Sequence, residues 1–106
     1  MDATEKLEIE TRIGTVLRGI YDPEIPVNIY DLGLIYETKI SDEGFVHVRM
    51  TLTAPNCPVA ESLPVEVRDR IKMVSGVANA TVEVVLDPPW SMDLMTDAAK
   101  LDLGML

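Results

Sequence analysis

Two alternating runs joined by one short turn constrain this chain more than any other feature. Leu34, Tyr36, Thr38 and Ile40 fall on one face of an extended segment, and Ile35, Glu37 and Lys39 fall on the other. After Ser41-Asp42-Glu43-Gly44, Val46, Val48, Met50 and Leu52 alternate with His47, Arg49, Thr51 and Thr53. Period-two patterning on both sides of a Gly-containing turn specifies a β-hairpin.

Helical periodicity flanks this hairpin. Ile9, Ile13, Val16, Leu17 and Ile20 share one face of a helix expected over 4–20. Asp2 or Thr4 can cap it, and Glu5, Glu8 and Glu10 suit its positive N-terminal end. Gly14 is expected to let this helix pack closely on a sheet. Asp22-Pro23-Glu24-Ile25-Pro26 follows as a rigid loop, because two prolines in four residues exclude regular helix or strand. Asn28 to Gly33 continues as a turn.

Beyond the hairpin, Pro58 suits a first helical position, which puts Cys57 at or beside an N-cap. Val59, Leu63, Val67, Ile71 and Val74 keep helical spacing, with Pro64 expected to kink the helix or restart it after Ser62. Ala80 to Leu86 reads as a third strand, stopped by Asp87-Pro88-Pro89-Trp90. Ser91 to Gly104 reads as a short helix with Leu94, Ala98, Leu101 and Met105 as its apolar stripe, anchored against the sheet by Trp90.

The element order predicts an α+β fold, a two-layer α-β-β-α-β sandwich. A three-stranded mixed sheet carries its helices on one face, and a short C-terminal helix follows. A crossover helix makes the second and third strands parallel. Sheet order 1-2-3 is expected, with 2-1-3 as the alternative. At 106 residues, one domain over 1–106 is expected.

Charge excludes some partners. Nine basic against 18 acidic residues give −9, which disfavours nucleic acid and anionic membrane surfaces. The single cysteine rules out an intrachain disulfide framework. The acidic start does not read as a signal peptide, and no apolar run approaches the ~20 residues of a transmembrane helix. A cytoplasmic, reducing setting fits best.

The sharpest candidate for chemistry is Thr51-Leu52-Thr53-Ala54-Pro55-Asn56-Cys57-Pro58. A thiolate is the nucleophile and metal ligand, and a helix N-terminus stabilises it. The threonine hydroxyls can serve the sulfur or a ligand; the plainer alternative is a small buried cysteine. Asp22 and Glu24 are two carboxylates in a stiff loop, able to take a metal ion or orient a thiol, or simply to form a turn. Asp31 reads as a turn or capping residue. His47 reads as an exposed strand residue rather than a base for Cys57, which leaves no catalytic dyad. The Met-rich tail suits packing on its own core or in a dimer.

Asp22-Pro23-Glu24-Ile25-Pro26, Tyr30-Asp31-Leu32-Gly33-Leu34-Ile35, Thr51-Leu52-Thr53 with Cys57-Pro58, and Asp87-Pro88-Pro89-Trp90 together resemble the SufT/PaaD-type family of iron–sulfur cluster assembly proteins. The resemblance covers the chain from about residue 7 onward. It implies a fold related to the C-terminal domain of NifU-type scaffolds and a stand-alone SufT-like member, without the extra cysteine-rich portion of the phenylacetate branch or the P-loop of the ATPase-fused branch. It places the site at Asp22, Glu24, Thr51, Thr53 and Cys57. The implied role is non-enzymatic: transient handling of iron, sulfur or a cluster, with none permanently bound, and delivery to client apoproteins alongside other assembly proteins. Cys57, Glu24 and Asp22 are the expected metal ligands, with a homodimer as one way to share them, since one thiol per chain cannot hold a four-thiolate cluster. The competing reading is a metal-free adaptor that binds partners through its acidic surface and apolar tail.

Overall fold

The computed structural model describes residues 1–23, 25–53 and 62–105. Helix α1 (Ala3–Leu17) is followed by strands β1 (Ile35–Ile40) and β2 (Phe45–Met50), helix α2 (Ser62–Lys72) and strand β3 (Asn79–Val84). A 3-10 turn (Met92–Leu94) and a short helix α3 (Asp97–Asp102) complete the chain. The sheet order is β1-β2-β3, with β1 antiparallel and β3 parallel to β2. The expected α+β class, the order 1-2-3 and the parallel second pair are all present.

α1 forms as its caps and stripe dictate. The Asp2 carboxylate accepts the Glu5 N–H at 2.8 Å, and Ile9, Ile13 and Leu17 are buried. The helix stops at Leu17, so Ile20, also buried, reaches the core from the turn beyond it. Gly14 has a different role from the one expected. A Cβ there would meet only the Arg18 guanidinium, at 3.7 Å, and no sheet residue lies against it. Pro64 sits in the first turn of α2, where its missing N–H costs no intrahelical bond, and Leu63, Val67 and Ile71 face the core.

The sheet has one covered and one open face. Val46, Val48, Met50 and Ala80 are buried beneath the helices, while Phe45, Lys39, Thr81 and Glu83 are exposed on the other side. β1 departs from simple alternation. Ile35 pairs with Met50 but Glu37 pairs with Arg49, so Tyr36 is the extra residue of a β-bulge. Directly opposed residues share a face. Ile35 therefore joins the core side with Met50 rather than lying beside Glu37 and Lys39. Tyr36 turns its hydroxyl to the Pro88 carbonyl at 2.7 Å. β3 ends at Val84, opposite the last residue of β2, with Val85 N–H bonding Met50 O as the final link. Leu86, expected within the strand, lies past this end and is exposed.

The tail also differs from expectation. The stripe that packs is Met95, Ala99 and Leu103, while Leu94, Ala98, Leu101 and Met105 face outward. Trp90 packs against the core as a half-buried side chain. Its indole N–H donates to Leu32 O at 2.7 Å, and Thr96 N–H donates to Asp31 O at 2.9 Å. Both bonds clamp the tail to the loop before β1. Gly33 makes that approach feasible: its φ is +81°, and a Cβ there would overlap the Leu94 backbone.

Candidate functional site

The loop between α1 and β1 is closed at its base. Tyr21 bridges Asn28, Ile29 N–H donates to Ile20 O at 2.8 Å, and Asp22 N–H donates to Val27 O at 3.3 Å. Within it, Val27 N–H returns to Ile25 O at 2.7 Å, a three-residue turn centred on Pro26. Asp22 is buried, only 7% exposed. Its Oδ1 accepts the Ile25 N–H at 3.0 Å, an Asx-type turn, so the plain turn chemistry expected of Asp-Pro is present.

The second carboxylate oxygen has a different partner. Thr53 Oγ1 donates to Asp22 Oδ2 at 3.1 Å, across 31 positions of sequence. This bond ties the loop after α1 to the chain just beyond β2. Thr51, two residues earlier, is buried, and its N–H donates to Leu34 O at 2.8 Å. The structure therefore joins Asp22 and Thr53 directly and places Thr51 in the packed interior beside the end of β2. Glu24 and Cys57, the other two expected site residues, lie outside the described residues. Cys57 follows Thr53 by four positions in sequence.

A buried carboxylate needs donors to offset lost hydration. Asp22 has the Ile25 amide and the Thr53 hydroxyl, which orient both of its oxygens. A carboxylate is chemically able to ligate a metal ion, and this one is bonded to Thr53, four positions before Cys57 in sequence. Among the described residues, no three His, Cys, Asp or Glu side chains cluster in a metal-binding arrangement.

The loop is braced on its far side. Asn28 Nδ2 donates to Asp31 Oδ2 at 2.8 Å, and Asp31 N–H donates to Asn28 Oδ1 at 2.9 Å. Asp31 is thus a turn residue, as its sequence context indicates, but the reciprocal pair with Asn28 was not foreseen. The bond from Trp90 to Leu32 adds the Asp87-Pro88-Pro89-Trp90 block to the same brace. The spacing of Asn28 and Asp31 was the available signal, since Asx residues three apart favour such pairs.

His47 sits on the open face of the sheet. Its Nδ1 lies 2.7 Å from Thr81 Oγ1 and its Nε2 lies 3.3 Å from Glu83 Oε1, so both ring nitrogens are engaged by β3. This is the exposed strand position expected from its alternation.

Residues 10–84 match the family model described as iron–sulfur cluster assembly protein. A Porphyromonas gingivalis protein named Fe-S protein maturation auxiliary factor is 48% identical over 102 residues, covering 96% of this chain and 97% of its own. The Staphylococcus aureus Fe-S protein maturation auxiliary factor SufT is 35% identical, covering 81% and 98%. A DUF59 protein of Bacillus anthracis has a solved structure that superposes with a TM-score of 0.87 at 31% identity, covering 99% of this chain and all of that one. With its fold and most of its length matched in this way, the chain belongs to the iron–sulfur cluster assembly protein family.

Proposed function

We propose that this protein is an auxiliary factor in the maturation of iron–sulfur proteins, and that it handles iron, sulfur or a cluster transiently before delivery to client apoproteins. The role rests on the near full-length match to the P. gingivalis maturation factor. The observation that carries the site is the bond from Thr53 to Asp22. It brings two separated sequence blocks together at the entry to the segment holding Cys57.

In this reading Cys57 supplies the sulfur ligand, Asp22 and Glu24 supply oxygen ligands, and Thr51 and Thr53 order the approach. The cargo is shared with a second copy or a partner's thiol, because one thiolate cannot complete a cluster. Weak, incomplete ligation suits a carrier that must release what it holds. Other assembly proteins and the clients are its partners, and no turnover of a metabolite is involved.

A metal-free adaptor is the second reading. It is favoured by the exposed Met92, Leu94, Leu101 and Met105 on the tail of a chain with net charge −9. Such apolar side chains on a charged surface suit contact with a partner. Replacement of Cys57 by serine separates the two. The handling role predicts that cells with Cys57→Ser lose iron–sulfur enzyme activity while the variant folds normally. Full complementation assigns the function to the adaptor surface.

A further inference from the structure

The sheet has two edges, and among the described residues β1 is the better defended. Unpaired edge strands invite pairing with another chain, and proteins blunt them with bulges, charges, prolines or covering segments. β1 has such protection. It is bulged at Tyr36, that residue is tied to Pro88 O, and Lys39 lies 3.7 Å from Glu37 along the strand. Among the described residues, β3 has no bulge, proline or covering bond, and Glu83 is its one charge. Its register with β2 runs unbroken from Phe45↔Asn79 to Met50↔Val84, and Asn79–Val84 contains no proline, lysine or arginine.

The direction of its free groups follows from one bond. Val85 N–H donates to Met50 O, so by alternation the N–H groups of Glu83 and Thr81 also face β2. Those of Ala80, Val82 and Val84 face away. Ala80 N–H is taken up by Asn79 Oδ1 at 2.9 Å. Among the described residues, nothing accepts the Val82 and Val84 N–H groups.

We infer that the β3 edge is a self-association surface, on which a second copy adds its own β3 antiparallel to form a continuous six-stranded sheet. The strand's sequence selects this occupant and register. A two-fold axis at Val82 puts Val82 opposite Val82 and Ala80 opposite Val84 on the helix-covered side. On the open side it puts Thr81 opposite Glu83, a hydroxyl against a carboxylate. An axis at Glu83 would oppose two carboxylates, and an axis at Thr81 puts Val84, with its outward N–H, opposite Ala78 beyond the end of the partner strand. Like charges directly opposed destabilise a pair of strands, so the Val82 register is preferred.

The flank is consistent with the same partner. A groove of about 250 Å³ between α2 and the edge is lined by Pro64, Val65, Arg68, Thr81 and Val82. Val65, in this lining, is exposed. Arg68 pairs with its neighbour Asp69 at 3.1 Å, and Arg49 lies 3.7 Å from Glu83. The flank thus carries both signs of charge, which lessens at this edge the repulsion that a net charge of −9 sets against self-association. Strand addition alone buries less than a standard interface, so the dimer is weak and forms reversibly.

Sedimentation of the full chain from micromolar to millimolar concentration tests this, together with amide hydrogen exchange. The expected result is a reversible dimer, with Val82 and Val84 amides exchanging more slowly as concentration rises. Val84→Lys places a charge on the edge, and Val82→Pro removes an outward N–H without touching the β2 ladder. Each should weaken the dimer by at least about tenfold. The exchange measurement on the unaltered chain keeps the test valid should either variant fold poorly. A monomer throughout, with concentration-independent exchange at both amides, overturns the inference and leaves the edge to a different partner or to none. A dimer that survives both folded variants also overturns it.

Discussion

Thr53 and Asp22 stand 31 positions apart, yet the Thr53 hydroxyl donates to the Asp22 carboxylate at 3.1 Å. That single bond turns a proline-stiffened loop and a strand end into one site. In the proposed reading Asp22 then has two roles, as the organiser of its own turn and as a ligand to cargo.

Asp22→Ala removes the acceptor of both the Ile25 N–H and the Thr53 hydroxyl, so it should cost about 1–3 kcal/mol in denaturant unfolding. Asp22→Asn keeps the shape and an acceptor, so its cost should stay near about 1 kcal/mol. Its loss of charge should nonetheless lower iron–sulfur enzyme activity in cells. Full activity with Asp22→Asn would leave Asp22 a turn residue only.

Gly14→Ala should stabilise the protein by about 0.5–1 kcal/mol, because alanine is the better helix former. The added methyl meets only the Arg18 guanidinium, at ordinary contact distance. A loss of stability on thermal or urea unfolding would show that the backbone is more closely approached there than described.

Asp42 offers a titration test. Lys6, whose Nζ lies 2.6 Å from Asp42 Oδ1, lowers the Asp42 pKa through their hydrogen bond first and its charge second. A folded-state pKa below the unfolded value means that the pair stabilises the fold above the unfolded carboxylate pKa of about 3.9. That contribution is lost as pH falls from there through the folded pKa. Carboxyl NMR titration should show Asp42 moving back toward the ordinary value in Lys6→Met, with little change in overall stability because the pair is exposed. An unchanged Asp42 titration contradicts the pairing.

Much of this fold is legible in local patterning, and the exceptions have physical causes. The hairpin follows from alternation, but the bulge at Tyr36 does not, since one inserted residue reverses parity without a glycine to mark it. In the tail, Leu94, Ala98 and Leu101 are as apolar as Met95, Ala99 and Leu103, so composition leaves the phase of α3 open. Contacts with the loop around Leu32 decide it. Val27, Ile29 and Leu32 fill the core from turns, where no period announces burial. At the site, the types of Asp22 and Thr53 were readable, but their meeting is a long-range contact that spacing cannot express. The brace from Trp90 to Leu32 is non-local in the same way.

The central claim is that Cys57 takes up iron or a cluster transiently. Anaerobic reconstitution of the pure protein with ferrous iron and sulfide, read by absorption spectroscopy and iron analysis, tests it most directly. The account predicts iron–sulfur charge-transfer bands and bound iron that chelators remove readily, both lost in Cys57→Ser. No bound iron at high protein concentration, or equal loading of Cys57→Ser, would contradict it.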